Sequence, residues 1–152
     1  MLLTSPSFEN NSSIPQKFSC DGGNINPELQ IQNVPGGTKS LALIMHDPDA
    51  PREGGFTHWV VWNIDPAAAM IKEESVPPGA CEGTNGAGKT GYMGPCPPPG
   101  HGVHHYQFRL YALDSPLELP DTTTAKDLET ALEKHLLETT ELVGLYERPK
   151  AG

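Results

Sequence analysis

The densest apolar positions along the chain fall in three short runs. KSLALIMHD, residues 39–47, and THWVVWNI, residues 57–64, are nearly unbroken stretches of branched and aromatic residues bounded by Pro and Gly. Runs of this length and composition read as strands buried on both faces. HHYQFRLYAL, residues 104–113, alternates more clearly, with Tyr106, Phe108 and Leu110 on one side and Gln107 and Arg109 on the other, as a strand with two unlike faces requires.

Weaker strand patterns occur in LLTSPSF near the start, in LQIQNV (29–34) and in ELVGLYER (141–148), separated by turn-forming CDGGNINP, VPGG and VPPG. One helix is expected late, in TTTAKDLETALEKHLLE. Thr124 stands as N-cap with Asp127 three residues on, and Leu128, Ala131, Leu132, His135 and Leu136 follow at helical spacing. DPAAAMIKEE (65–74) offers a second short helical turn. Many short strands with one or two helices at the periphery exclude an alternating β/α order and predict a mainly β fold of packed antiparallel sheets. No repeat or linker divides the chain, so residues 1–152 are expected to form a single domain.

Composition narrows the function. With 10 Lys and Arg against 19 Asp and Glu, the formal net charge is −9, which argues against general affinity for nucleic acid or anionic membrane surfaces. The 16 Gly and 16 Pro are spread between apolar segments and read as turns and ordered loops. MLLTSPSF has no basic n-region and too short an apolar run for a signal peptide, and no stretch approaches a membrane span. A cytoplasmic protein without integral membrane association is the expectation. Cys20, Cys81 and Cys96 show no C-x-x-C spacing and are expected to be reduced and structural.

Each main apolar stripe is headed by an ionisable residue. A period of two places Asp47 on the face of Leu41, Leu43 and Met45, places His58 with Val60, Trp62 and Ile64, and places His104 with Tyr106, Phe108 and Leu110. Asp47 closes the first run and His58 opens the second, so antiparallel pairing brings them to one end of a sheet. His104 joins them if its strand runs antiparallel to the first. Pro48 and Pro51 in DPDAP, and the prolines of PCPPPG, stiffen the loops beside these residues, and a preorganised wall loses less entropy when a ligand binds.

DPDAP, then THWVVWNI, then GYMGPCPPPGHGVHHYQFRLYAL resemble the two signature blocks of the phosphatidylethanolamine-binding protein (PEBP) family, also called the Raf kinase inhibitor protein family, in its short bacterial and archaeal form. The resemblance implies a β-sandwich of two packed antiparallel sheets with Greek-key-type connections and one or two peripheral helices. It implies a small pocket for phosphate, acetate-like anions or phospho-headgroups, centred on Asp47, His58 and His104, with Asp49, Pro51, Tyr106, Pro97 and Pro98 around it. Many relatives carry arginine where this chain has His105, which implies a changed outer ion pair. Animal members carry a further C-terminal helix beside the pocket, and the resemblance implies a more open pocket here, where the chain closes on GLYERPKAG. A homodimer is also within the family's habit.

The resulting expectation is a binding protein for a small anionic or phosphorylated ligand, with no cofactor. A carboxylate beside phosphate requires either protonated histidines, which Asp47 would favour, or a ligand that keeps a proton. Two other classes stand beside it. In one, Asp47, His58 and His104 act as acid and base groups of a hydrolase, with Cys96 as the best nucleophile. In the other, the rigid loops inhibit a protein kinase or protease. His46, His101, His105 and His135 are read as structural. HGVHH lacks a companion ligand at zinc spacing, so no metal site is expected. Asp49 reads equally as a turn residue bonding backbone.

Overall fold

Burial on both faces of the two central runs is explained by what covers each side of one sheet. The computed structural model describes residues 1–149. The described residues form strands β1 (Leu2–Thr4), β2 (Ser12–Ser13), β3 (Leu29–Gln32), β4 (Ser40–Asp47), β5 (Phe56–Ile64), β6 (Met70–Ile71), β7 (Cys81–Glu82), β8 (His104–Leu113) and β9 (Leu136–Tyr146), with helix α1 (Ala125–Leu132). A six-stranded sheet has the order β2-β9-β8-β4-β5-β7, and a three-stranded sheet the order β1-β3-β6. The pairings are antiparallel apart from the two-residue pair of β2 with β9.

Leu41, Leu43, Met45, Trp59, Phe108 and Leu110 of the larger sheet pack with Leu3, Leu29, Ile31 and Ile71 of the smaller. On the opposite face Ala42, Ile44, Val60, Trp62 and Leu113 meet Leu117, Leu128 and Leu132. β4 and β5 therefore have no solvent face, and Trp59 and Trp62 are core residues on opposite sides.

α1 begins as its capping box predicts, with Thr124 Oγ1 accepting from Asp127 N and the Asp127 carboxylate accepting from Thr124 N. It buries Leu128 and Leu132 as a narrow apolar stripe, and Leu128→Ala would cost about 2–5 kcal/mol as a cavity. The helix is shorter than its sequence pattern. A 3-10 turn takes Glu133–His135, and Leu136 opens β9. Leu136 and the residues after it pair with β8 from Leu113 downwards, while Asp114 N donates to His135 O and the two side chains pair at 2.8 Å. An eleven-residue strand paired along β8 displaces a helical periodicity of one turn.

Residues 65–74 form no helix. Asp65 accepts from Ala67 N at 2.9 Å, Ala69 takes φ +58°, and β6 pairs with β3. An Asx turn feeding a short edge strand uses the Asp-Pro start that suggested a helix.

Candidate functional site

β4 pairs with β8 as well as with β5, both antiparallel, so Asp47, His58 and His104 share one end of the sheet. His58 reaches them through an irregularity that simple alternation misses. Met45 pairs with Trp59 and His46 with Thr57, leaving His58 as an extra residue without a partner in β4. A bulge of this kind turns a side chain to the other face, and it moves His58 from the Val60 and Trp62 side to the side of Asp47 and Tyr106. A second shift, where Asn63 has φ +55°, puts Ile64 with Val61 in the inter-sheet core. The expected grouping of His58, Val60, Trp62 and Ile64 on one face is therefore corrected at both ends.

The cavity so formed has a volume of about 260 Å³. Asp47, His58, His104 and Tyr106 make its buried floor. Pro51, Pro97 and Pro98 line its sides, with Arg52 and Cys96 exposed at the rim. Phe56 meets the His58 ring edge-on at 4.9 Å and carries the Arg52 guanidinium over its face, also at 4.9 Å.

Hydrogen bonds fix the proton positions on the floor. His58 Nδ1 lies 2.7 Å from Met93 O; a carbonyl only accepts, so Nδ1 carries the proton and a neutral ring offers Nε2 as an acceptor. Burial pulls the His58 pKa down to about 4, outweighing the Met93 bond and the Asp47 charge, which push it up. Asp47 Oδ2 lies 2.6 Å from His104 Nδ1 and both residues are buried, while Asp47 Oδ1 accepts from Asp49 N at 2.8 Å. Tyr106 stacks near His104 and meets His58 edge-on. Its hydroxyl is buried and, among the described residues, meets no partner within hydrogen-bond geometry, though Asp47 lies close enough to act on it. Burial and then the Asp47 charge raise its pKa far above the ordinary value, so it stays an O–H donor.

The polyproline wall is anchored from behind. A Cβ at Gly94 would overlap the Phe18 carbonyl oxygen, so only glycine allows this approach. Gly94 N donates to Asn24 Oδ1 at 2.8 Å, Tyr92 OH to Phe18 O at 2.7 Å and Cys20 N to Pro95 O at 3.0 Å. Cys20 and Cys96 form a disulfide across the same contact. The expectation of three reduced cysteines holds for Cys81 alone. The bridged pair lies 76 residues apart in sequence, so only the docking of the two loops, and no local spacing, brings it together.

Seven of the eight expected site residues line the cavity: Asp47, Pro51, His58, Pro97, Pro98, His104 and Tyr106. Asp49 does not. Its Oδ2 accepts from His105 N at 2.8 Å and lies 2.7 Å from His105 Nδ1; burial alone would raise its pKa, but these bonds hold it below the ordinary value. Asp49 is thus held outside the cavity by His105, and the turn role considered for Asp49 belongs to Asp47. Arg52, Phe56 and Met93 were not singled out from sequence. Neither was His101, read there as structural, whose Nδ1 lies 2.6 Å from His104 Nε2. The Gly-His-Gly step two residues before β8 was the available signal.

The phosphatidylethanolamine-binding protein family model matches residues 4–147. The chain belongs to this family. A UPF0098 protein of Pyrococcus horikoshii is 48% identical over 153 residues, covering 97% of this chain and 77% of the relative. One from Methanothermobacter thermautotrophicus is 45% identical, covering 97% and 99%. Among solved structures, a putative PEBP homolog from Chlamydia trachomatis superposes with a TM-score of 0.91 at 41% identity, covering 96% of each chain. Escherichia coli YbcL, described as a new member of the mammalian PEBP family, gives 0.90 at 32% identity, covering 95% of this chain and 96% of its own. The two-sheet fold expected from the sequence is the fold of these family members.

Proposed function

We propose that this protein is a binding protein whose cavity takes a small oxyanion that still carries a proton, such as a phosphate monoester in its singly charged form. The observation that carries this reading is the convergence of Asp47, His58, His104 and Tyr106 on the floor of one cavity, with the Tyr106 hydroxyl buried just behind that floor and, among the described residues, not paired within hydrogen-bond geometry. Leaving such a group unpaired costs about 1–3 kcal/mol, and a ligand oxygen supplies the missing acceptor once the floor side chains shift to expose the hydroxyl. The other floor atoms accept protons: the Asp47 carboxylate, and His58 Nε2 on a ring whose Nδ1 proton is committed to Met93 O. A ligand O–H can donate to one of them while a ligand oxygen accepts from Tyr106. Arg52 at the rim adds a cation for the remaining charge.

Of the two ways for phosphate to sit beside Asp47, the buried His58 favours the ligand-borne proton over a protonated histidine at that position. Binding is then stronger below the second phosphate pKa, near ~6 for monoesters. Regulation of a kinase or protease and a homodimer rest on the family likeness alone. The pocket needs none of them.

The test is a titration of histidine ring NMR signals with inorganic phosphate and O-phosphoethanolamine at pH 6 and pH 8. Saturable shifts at His58 and His104, larger at pH 6 and absent in Asp47→Ala, are expected. Affinity that climbs steadily with pH, or no shift at millimolar ligand, removes the reading.

A further inference from the structure

The disulfide that clamps the two loops also stands on the rim of the cavity, where a clamp alone does not require one of its sulfurs to face the pocket. Cys96 lines the cavity beside Gly94 and Pro97, whereas Cys20 does not, and both residues are exposed. Exposed disulfides are open to attack by thiolates. Arg148 Nη1 lies 3.7 Å from Cys96 Sγ, with its Nε 3.2 Å from Asp21 Oδ1, and Arg52 lies across the rim. In a chain of net charge −9, one guanidinium beside the sulfur and a second among the residues lining the same cavity favour an anionic reagent locally.

We propose that the Cys20–Cys96 disulfide captures a small thiol that bears an acid group and sits in the cavity, a reading that rests on the anion pocket proposed above. The bound thiolate attacks Cys96 Sγ and forms a new S–S bond to it. The Cys20–Cys96 bond breaks, and its electron pair leaves on Cys20 Sγ as a thiolate, which takes a proton from water. One disulfide is consumed and one is formed, so no oxidant or reductant enters. Seating the acid group raises the effective concentration of the attached sulfur at Cys96. After exchange, the bonds from Cys20 N to Pro95 O and from Gly94 N to Asn24 Oδ1 still hold the two loops together. Cys20 is thereby kept close enough to attack the mixed disulfide in turn, which makes the capture reversible.

The test compares 2-mercaptoethylphosphonate with neutral 2-mercaptoethanol at pH 6.5, at equal thiolate concentration, with acid trapping and peptide mass mapping. The phosphonate is expected to react at least about tenfold faster, with its adduct on Cys96. Inorganic phosphate should abolish the excess, and Tyr106→Phe, which leaves the disulfide intact, should shrink it. Equal rates, an adduct on Cys20 or indifference to phosphate overturns the capture. If the same protein still gives phosphate-dependent shifts at His104, the pocket reading survives that failure; if those shifts are missing, the pocket reading falls and the capture falls with it.

Discussion

His101 Nδ1 lies 2.6 Å from His104 Nε2, so the two rings share a single proton across this contact. His104 Nδ1–H donates to Asp47 Oδ2, which leaves His104 Nε2 facing His101 Nδ1. His101 thus occupies the one nitrogen of His104 that Asp47 leaves free. It is exposed, and it is flanked by Gly100 at φ +75° and Gly102 at φ +98°, backbone that glycine adopts without strain. His101→Ala should release His104 Nε2 to a ligand and tighten phosphate binding by about fivefold, the worth of roughly 1 kcal/mol for one hydrogen bond. Titration calorimetry at pH 6 measures this, and weaker binding would make His101 a ligand contact instead of a competitor.

The depressed His58 pKa makes folding sensitive to mild acid. The unfolded chain protonates this ring near 6.5, whereas the folded one resists until about 4. Between those values the unfolded state binds more protons, so stability rises with pH there. The contribution is fully present above pH 6.5 and is lost progressively as pH falls to 4, up to about 3 kcal/mol in all. Urea unfolding of the parent and of His58→Gln at pH 4.5 and pH 7 isolates it, because other acid-sensitive groups cancel in the difference. The parent should lose about 2–3 kcal/mol more than the variant; parallel losses would mean that His58 is charged or hydrated in the fold.

Tyr106→Phe separates binding from stability. The lost hydroxyl is buried and unpaired, so the variant should be as stable as the parent or more stable by about 1 kcal/mol. Phosphate affinity should fall about tenfold, as expected for a hydrogen bond to a charged acceptor. A destabilised variant would place a partner on the hydroxyl within the folded protein.

What could be read from the sequence was what depends on local pattern. β4, β5 and β8 are dense apolar runs because the larger sheet is covered on both sides, and the residues heading them converge because the three strands pair antiparallel. The aim of His58 could not be read in this way. Its bulge comes from the register between β4 and β5, a property of the pair and of neither strand alone. At Leu136 the local pattern pointed the wrong way, since helical spacing continued into residues that β8 recruits as a strand. Asp49 misled for a related reason: carboxylates two residues apart in DPDAP look equivalent, yet one turns inward to His104 and the other outward to His105.

The disulfide depends on the same long-range docking and has a large expected effect on stability. It closes a loop of 76 residues, and a cross-link of that length stabilises by about 2–4 kcal/mol, chiefly by restricting the unfolded chain. Reduction with dithiothreitol should therefore lower the unfolding free energy by that amount, and the Cys20→Ser, Cys96→Ser double variant should match the reduced parent. Phosphate affinity should fall by much less, because Gly94, Tyr92 and Cys20 keep their hydrogen bonds across the contact and hold the cavity wall in place. Denaturant unfolding and phosphate titration on the same oxidised and reduced samples provide both numbers. A collapse of binding without loss of stability would show that the bridge, and not these hydrogen bonds, holds the cavity wall in place.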